Sequence, residues 1–548
     1  MIHYNKILQR RFLLLTVAFL SLFTTVKAQD DLFDLPEFKL PLTDKKLVIA
    51  HCMTHIISYN GHPMEDGCNP EFYPITNNIS APIGGLTQVN VMSDPYMKDS
   101  SLEHAVEFEM LAAKRCGIDG FQFYYTLENK SWDKIIQAYF KVAAEKNIDF
   151  KFTFCFSHPR VEGKDENMKL VEFASRVKAI QDSVGKSNPH WLRTPDGRLI
   201  VYLWYGEQIA DIPSEENMGG HPAEYFAARA YKKLADAVGE KFACMYSVNE
   251  KVSNSQIHKL LDYFPSVWMW TQAYTFEGLD SKIASISKKR GRQYTVSAFP
   301  DFYTSKVLKP GTWDMLTTAA EAVIAGKKGI ERKYMVTGLS ETFRRQLDFA
   351  VKEDAPMINI ITWNDYPEGH HFAPEINHNY GFSVLLTYMK SVWQGKPSPY
   401  ADRDVAIAFF KKYKKDIKPD PYNIKTENLG KTTQTNFEDS IEVVTILPQA
   451  GQLMVNGETV NVPAGLTSTR FKLQPGPVKV AVMRDGVVSK SFTTPEWITD
   501  KPLRTDRITY TYDTEYDSFH KDLFGDKPPM YSTQYNEEIN EKEKSAQR

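Results

Sequence analysis

Eight short apolar segments alternate with amphipathic stretches between residues 46 and 362, and this alternation is the strongest constraint on the fold. Most of the segments are continuous apolar or aromatic runs, which is typical of parallel strands buried on both faces. The predicted strands are Lys46–Met53, Ile118–Tyr125, Phe150–Ser157, Leu199–Tyr205, Phe242–Val248, Val267–Tyr274, Tyr294–Phe299 and Met357–Thr362. The clearest predicted helices are Glu103–Cys116, Trp132–Lys146, Met168–Val184, Ala223–Val238 and Glu341–Val351.

Eight strands separated by helices predict an α/β fold, a (β/α)8 barrel of the TIM type. A doubly wound open sheet is the main alternative, but the sequence lacks the glycine-rich phosphate loop that is usual in that fold. Two further helices are predicted after the eighth strand, at Ser383–Gln394 and Val405–Lys415. We therefore assign residues 29–425 to the barrel.

The sequence changes character after the barrel. Short alternating strands begin near Asp439, and the dipeptides Asn456-Gly457 and Asp485-Gly486 are strong hairpin signals. This pattern predicts a small β-sandwich over residues 436–500. Residues 501–548 are expected to form an irregular extension and a polar tail.

The N-terminus predicts export. Basic residues precede an apolar run from Phe12 to Val26, and Ala28 offers a small residue for cleavage. We interpret residues 1–28 as a cleavable signal peptide, which predicts a secreted or periplasmic protein with no membrane span. The net charge of −2 argues against a nucleic-acid surface. The five cysteines leave the disulfide pairing open.

The carboxyl ends of parallel barrel strands face the active site, so the residues there are the functional candidates. Polar and aromatic side chains converge at these ends, as expected for a cleft that binds sugar hydroxyl groups and stacks sugar rings. The candidate hydroxyl partners are His51, Asn364 and His370, and the candidate stacking platforms are Tyr125, Trp204, Trp270 and Trp363. Other polar strand ends include Glu207, Glu250, Gln272 and Asp301. Each position alone also fits a structural role.

Two acids, Asp365 and Glu368, directly follow the eighth predicted strand in the segment TWNDYPEG. Two positioned carboxyl groups are what hydrolysis of a glycosidic bond requires. The structural alternative is an exposed turn, which Pro367 would suit. Because a proline disfavours helical geometry at the residue before it, the acids are expected on an extended loop.

Histidines and acids near this segment also raise the question of a metal site. The residues concerned are Glu368, His370, His371, Glu375 and His378. Neither HExxH nor HxxEH is present, and adjacent histidines on a loop point in different directions. We therefore expect no metal and no cofactor.

The segment from Thr362 to His371 resembles the hallmark of glycoside hydrolase family 71, the α-1,3-glucanases or mutanases. Residues 48–53 and 113–121 resemble the family's first two strands, and residues 338–344 resemble the approach to its last strand. The resemblance implies a barrel hydrolase that acts on α-1,3-glucan, with Asp365 and Glu368 as the acid pair. It favours inversion. Our hypothesis is that Glu368 is the general acid and that Asp365 positions or activates water, and the sequence leaves the division of roles between the two acids open.

Pro367, Gly369 and the pair Thr54-His55 depart from the residues usual in the family, which leaves the glucan and the endo or exo mode open. The segment also resembles glycoside hydrolase family 99, whose motif has Glu at the position of Asp365. An endo-acting α-mannan hydrolase is therefore the alternative. A non-catalytic glycan-binding protein is a second alternative, although the retained carboxylate pair favours an enzyme. The expected partner is a polysaccharide or oligosaccharide, and the oligomeric state is open.

Overall fold

The structure, a computed structural model, describes residues 42–61, 91–271, 276–304, 312, 330–417, 424–429, 438–503, 507–530 and 534–548. The predicted signal peptide, together with Cys68 and Gln272, lies outside these residues. The other four cysteines, Cys52, Cys116, Cys155 and Cys244, are buried free thiols. None of the described helices is long and apolar enough to cross a lipid bilayer.

The first ten strands in chain order supply the barrel and one strand outside it. Their bounds are β1 Leu47–Cys52, β2 Gly120–Tyr125, β3 Lys151–Ser157, β4 Leu199–Trp204, β5 Phe242–Val248, β6 Ser266–Met269, β7 Gln293–Tyr294, β8 Val296–Ala298, β9 Ile330–Tyr334 and β10 Met357–Ile360. The barrel strands are almost completely buried, because helices cover their outer faces and side chains fill the interior.

Neighbouring barrel strands pair in parallel in the order β7-β6-β5-β4-β3-β2-β1-β10-β8. Only Thr295 separates β7 from β8, and these two halves of one segment pair with β6 and β10 respectively. Residues 293–298 therefore join the two edges of the sheet and make a barrel of eight strand positions. The predicted (β/α)8 barrel is confirmed. In this order β4 lies opposite β10, four positions away in either direction.

Helices surround the barrel and extend to the C-terminus. Their bounds are α1 Asp94–Met97, α2 Leu102–Arg115, α3 Asp133–Glu145, α4 Glu166–Val184, α5 Ala223–Val238, α6 Asn254–Tyr263, α7 Ser281–Lys289, α8 Glu341–Lys352, α9 Gly381–Trp393, α10 Tyr516–Phe524 and α11 Gln534–Gln547. Capping residues in the sequence mark where several of these helices begin. At α6 the Ser253 and Gln256 side chains form a capping box with each other's backbone N–H groups.

The remaining strands build a C-terminal β-sandwich, as predicted. Their bounds are β11 Val405–Lys411, β12 Ile424–Asn428, β13 Ser440–Leu447, β14 Gly451–Val455, β15 Glu458–Val462, β16 Gly465–Lys472, β17 Gly476–Arg484, β18 Val487–Ile498 and β19 Thr509–Asp513. Two antiparallel sheets have the orders β16-β13-β11-β19 and β15-β14-β17-β18. The strands β9 and β12 form a separate parallel pair.

Two predictions about this region are wrong. The predicted helix Val405–Lys415 contains strand β11, which is buried along its whole length and pairs with β13 and β19. A short apolar run has no periodicity that separates a buried strand from a buried helix. Residues 501–548 contain β19, α10 and α11 instead of an irregular extension. The strands of the sandwich thus reach beyond residues 436–500 on both sides.

A buried carboxylate fixes the sandwich to the barrel. Glu442 of β13 is fully buried and accepts hydrogen bonds from the backbone N–H and the hydroxyl of Ser340. Arg344 of α8 donates to the same carboxylate at 2.7 Å. Because an unpaired buried charge is costly, these contacts hold the start of α8, the helix that leads into β10.

We expect Arg344→Met to destabilise the protein by about 3 kcal/mol, because the buried Glu442 carboxylate would lose its nearest cationic partner and keep only the more distant Arg470 at 3.9 Å. Arg345→Met is the matched control, since Arg345 lies next in α8 and forms a more exposed pair with Glu341 at 3.6 Å. This control should cost less than about 1 kcal/mol. Urea unfolding measures both changes, and equal costs would contradict the assignment.

Candidate active site

The segment that follows β10 fills the mouth of the barrel. Every residue from Met357 to Leu386 is buried, with the exception of Glu368, whose side chain is 20% exposed. The loop therefore presents one carboxylate to the solvent. The other acids and histidines of the segment are packed beneath it.

Asn364 and Trp363 tie this segment to neighbouring parts of the barrel. The Asn364 amide accepts a hydrogen bond from Met53 N at 2.8 Å and donates to the carbonyl oxygens of Met53 and Ile56. The Trp363 indole N–H donates to the Glu109 carboxylate of α2. Asn364 and Trp363 are 3% and 0% exposed, so their predicted roles as hydroxyl partner and stacking platform are wrong. Both residues hold the loop.

Residues 366–368 form a single 3-10 turn, so the expected extended loop is also wrong. Pro367 lies in the first turn, where no helical hydrogen bond needs its missing N–H. Gly369 follows with φ of +69°, and a Cβ at this position would lie 2.5 Å from the carbonyl oxygen of Tyr303. Glycine is therefore required where the chain turns away from Glu368.

His370 connects the two acids. Its Nε2 lies 2.9 Å from Asp365 Oδ2 and 3.7 Å from Glu368 Oε2. His370 is fully buried, so it orients Asp365 and does not reach the solvent, which corrects its predicted role as a hydroxyl partner. Asp365 itself is 5% exposed. An oxygen of Asp365 and an oxygen of Glu368 lie within 4.8 Å of each other.

The Glu368 side chain lines a cavity of about 920 Å³ at the carboxyl ends of the strands. Trp204 and Trp270 line this cavity and stack on each other with ring centres 4.3 Å apart. Both tryptophans are partly exposed, and Tyr205 and His158 extend the aromatic wall. The structure thus brings Glu368 and the two predicted tryptophans together in one cleft of ligand-binding size.

The model of glycosyl hydrolase family 71 matches residues 95–511 of this sequence. The chain belongs to glycosyl hydrolase family 71. This confirms the predicted family and the enzyme class, a glycoside hydrolase. The match begins before β2 and ends within β19, so it includes the acid pair and most of the sandwich.

Similar solved structures include the family 99 endo-α-mannosidase from Bacteroides thetaiotaomicron, which is 11% identical, with a TM-score of 0.40. The match covers 64% of this chain and 97% of that enzyme. Its complex with bis-tris-propane gives a TM-score of 0.39 over the same shares. The alkaline phosphatase PhoD from Zymomonas mobilis is 25% identical over 234 residues, 39% of this chain. The chain spans 38% of that relative's length. These similarities are too weak or too partial to assign a substrate to this family 71 member.

His51 and Tyr125 do not face the cleft of this family 71 chain. His51 is fully buried, and burial lowers its pKa to about 3, so it is neutral and packs edge-on against Trp270. Tyr125 is also fully buried, and Phe173 and Arg176 of α4 cover its ring. Both predicted substrate contacts are therefore wrong. Successive strand residues point to opposite sides of the barrel wall, so Tyr125 faces the helix layer.

The roles of Tyr246 and Asp301 were not predicted from the sequence. Tyr246 of β5 lines the cavity and donates to Glu207 at 2.8 Å. It lies within a continuous apolar run, which gives no signal for the face it occupies. Asp301 follows β8 but is buried, where Lys411 of the sandwich pairs with it at 3.2 Å. Burial alone would raise the pKa of Asp301, but the charge of Lys411 lowers it below its ordinary value.

Two groups of described residues have side-chain atoms close enough to share an ion. They are Asp365–Glu368–His370 and His371–Glu375–His378. In the second group both oxygens of Glu375 already accept backbone N–H groups, from Asn377 and His378. This carboxylate therefore has a structural task in the loop. The absence of a metal and of a cofactor stays a prediction.

The buried Glu109 beneath Trp363 makes stability depend on pH. Burial raises its pKa from 4.5 to about 7, although the hydrogen bond from Trp363 acts in the opposite direction. Between pH 4.5 and 7 the folded protein keeps a proton that the unfolded chain has released, so stability falls as the pH rises through this window.

We expect Glu109→Gln to remove the loss of stability that the wild type shows as the pH rises from 4.5 to 7. The free energy of unfolding of the variant relative to the wild type should rise by about 3 kcal/mol between pH 4 and pH 8. Glu103→Gln, on the exposed side of α2, is the matched control. Urea unfolding across this pH range measures the effect, and parallel pH curves for the wild type and Glu109→Gln would rule it out.

Proposed function

We propose that this family 71 member hydrolyses an α-linked glucan, most specifically α-1,3-glucan. The observation that carries the proposal is the exposure of Glu368, alone among residues 357–386, in a cavity walled by Trp204 and Trp270. Aromatic faces in a half-open cleft suit the apolar faces of neutral sugar rings, and a carboxyl group beside them can protonate a glycosidic oxygen.

Glu368 is assigned as the general acid because its side chain reaches the cavity. When it gives its proton to the glycosidic oxygen, the bond to the anomeric carbon breaks and water takes the place of the leaving sugar. Asp365 is assigned to position or activate that water, since His370 fixes its carboxylate next to Glu368. The released water proton then returns to the carboxylate pair.

The spacing of the pair bears on the stereochemistry. Inverting pairs are about 6.5–9.5 Å apart and retaining pairs about 5–5.5 Å apart. Asp365 and Glu368 have oxygens within 4.8 Å of each other, which leaves no room for a sugar between them, and of the two only Glu368 lines the cavity. The inversion expected from the family resemblance gains no support from this spacing, and the anomer of the first product decides the question.

We expect Glu368→Gln and Asp365→Asn each to lower kcat on α-1,3-glucan roughly 100- to 10,000-fold, because each change removes an acid–base group from the reaction. Glu353→Gln, an exposed change after α8, should leave kcat unaltered. A loss of less than tenfold in both active-site variants would end the assignment.

The substrate is tested by incubation with a panel of α-glucans and α-mannans, with products and anomeric configuration followed by NMR. We expect cleavage of α-1,3-glucan. Cleavage of α-mannan alone would replace this substrate with that of the family-99-like alternative. Glycan binding without product from any member of the panel would indicate a non-catalytic binding protein.

Export is part of the proposal and is supported by the basic and then apolar N-terminus. We expect the mature chain to begin after Ala28, which mass spectrometry of the exported protein measures. An intact N-terminus in the cytoplasmic fraction would contradict export.

A further inference from the structure

A second carboxylate, Glu207, faces the cleft from the wall opposite Glu368. Glu207 lies in the 3-10 turn Gly206–Ile209 directly after β4, and Glu368 lies in the 3-10 turn after β10. These two strands are diametrically opposite in the barrel. Both glutamates line the same cavity of about 920 Å³.

The backbone turns sharply after β4 and places Glu207 on this wall of the cleft. Tyr205 has a left-handed φ of 53°, an uncommon conformation for a bulky residue and one that often marks a functional site. At Gly206 a Cβ would lie 2.8 Å from the Leu203 Cβ, so glycine lets the turn pack against β4. The strand thus ends in a sharp turn, and Glu207 follows Trp204 by three residues.

Tyr246 holds the Glu207 side chain. Its hydroxyl donates to Glu207 Oε2 at 2.8 Å. Burial raises the pKa of Tyr246 well above its ordinary value, so the phenol keeps its proton and remains a donor. Among the residues that the structure describes, none hydrogen-bonds to Oε1 of Glu207. A partly exposed carboxylate with one oxygen fixed can present the other to a ligand.

Of the pair Asp365 and Glu368, only Glu368 lines the cleft, and Glu207 lies on the opposite wall. We propose that Glu207 is a substrate-binding carboxylate that accepts hydrogen bonds from hydroxyl groups of the sugar stacked on Trp204 and Trp270. The inference rests on the proposed function and deepens it. Glu207 fixes the sugar from one side while Glu368 meets the glycosidic oxygen from the other.

The charge of the cleft lining bears on which class of sugar the cleft can bind. Among the described residues of its lining, Glu207, Glu224 and Glu250 accompany the proposed acid Glu368, and Lys251 is the lysine. Acceptor-only carboxylates pair with hydroxyl groups but repel carboxylate and sulfate groups. The described part of the lining therefore favours a neutral glycan with free hydroxyl groups over uronates and sulfated sugars.

Direct binding tests this inference without turnover. Isothermal titration calorimetry measures the affinity of an α-1,3-linked glucotetraose and an α-linked mannotetraose for Glu368→Gln and for Glu368→Gln combined with Glu207→Gln. We expect the tighter-binding of these two ligands to bind the double variant roughly 10- to 100-fold more weakly than it binds Glu368→Gln alone. This is the effect expected from the loss of hydrogen bonds to a charged group. In the Glu368→Gln background, Glu216→Gln is the matched control. It makes the same change at an exposed site on the same connection, outside the cavity lining, and should leave affinity unchanged.

Tyr246→Phe in the same background provides a second variant that keeps the carboxylate but removes its anchor. We expect affinity to fall roughly three- to tenfold, since one neutral donor is lost. Unchanged affinity in both the Glu207 and Tyr246 variants overturns the inference and leaves the proposed function standing. Failure of Glu368→Gln to bind either tetrasaccharide overturns the proposed substrate class, and the inference with it.

Discussion

The burial of the segment after β10 is the constraint on which the site depends. Unpaired buried donors and acceptors are costly, so the polar pairs that this loop makes in the barrel mouth fix its path. Asn364 pairs with the backbone after β1, His370 with Asp365, and Glu375 with the N–H groups of the next turn. Once these pairs are made, Glu368 is the acid left facing the cavity. These buried contacts thus position Glu368 at the cavity.

The sandwich supports this loop from behind. Thr511 of β19 donates its backbone N–H to Asn377, and the Asn379 amide donates to Thr511 O at 2.8 Å. Lys411 of β11 pairs with Asp301 after β8, so the sandwich contacts the end of one strand that neighbours β10 as well as the loop after β10. These contacts lie below the cleft and indicate that the sandwich has a packing role. Together the barrel and the sandwich hold the loop that carries Glu368.

The sequence predicted the barrel correctly because its buried strands are continuous apolar runs with helical stretches between them. The same signal failed at Val405–Lys411, where a buried sheet strand gives an apolar run that also fits a helix. At the site, strand ends identified the right region but not the direction of each side chain. Trp204 and Trp270 reach the cleft, whereas Tyr125 and Trp363 point into packed layers. Loop geometry also escaped the sequence, since the 3-10 turn at Pro367 depends on how Gly369 meets Tyr303.

The central claim is that Glu368 meets the scissile oxygen of an α-glucan held between the two walls of the cleft. A crystal structure of Glu368→Gln with a bound α-1,3-linked glucooligosaccharide tests it most directly. The account predicts a sugar ring against Trp204 and Trp270, with a glycosidic oxygen about 2.6–3.2 Å from the residue 368 amide. An oligosaccharide bound outside this cavity, or bound within it with no glycosidic oxygen near residue 368, would contradict the account.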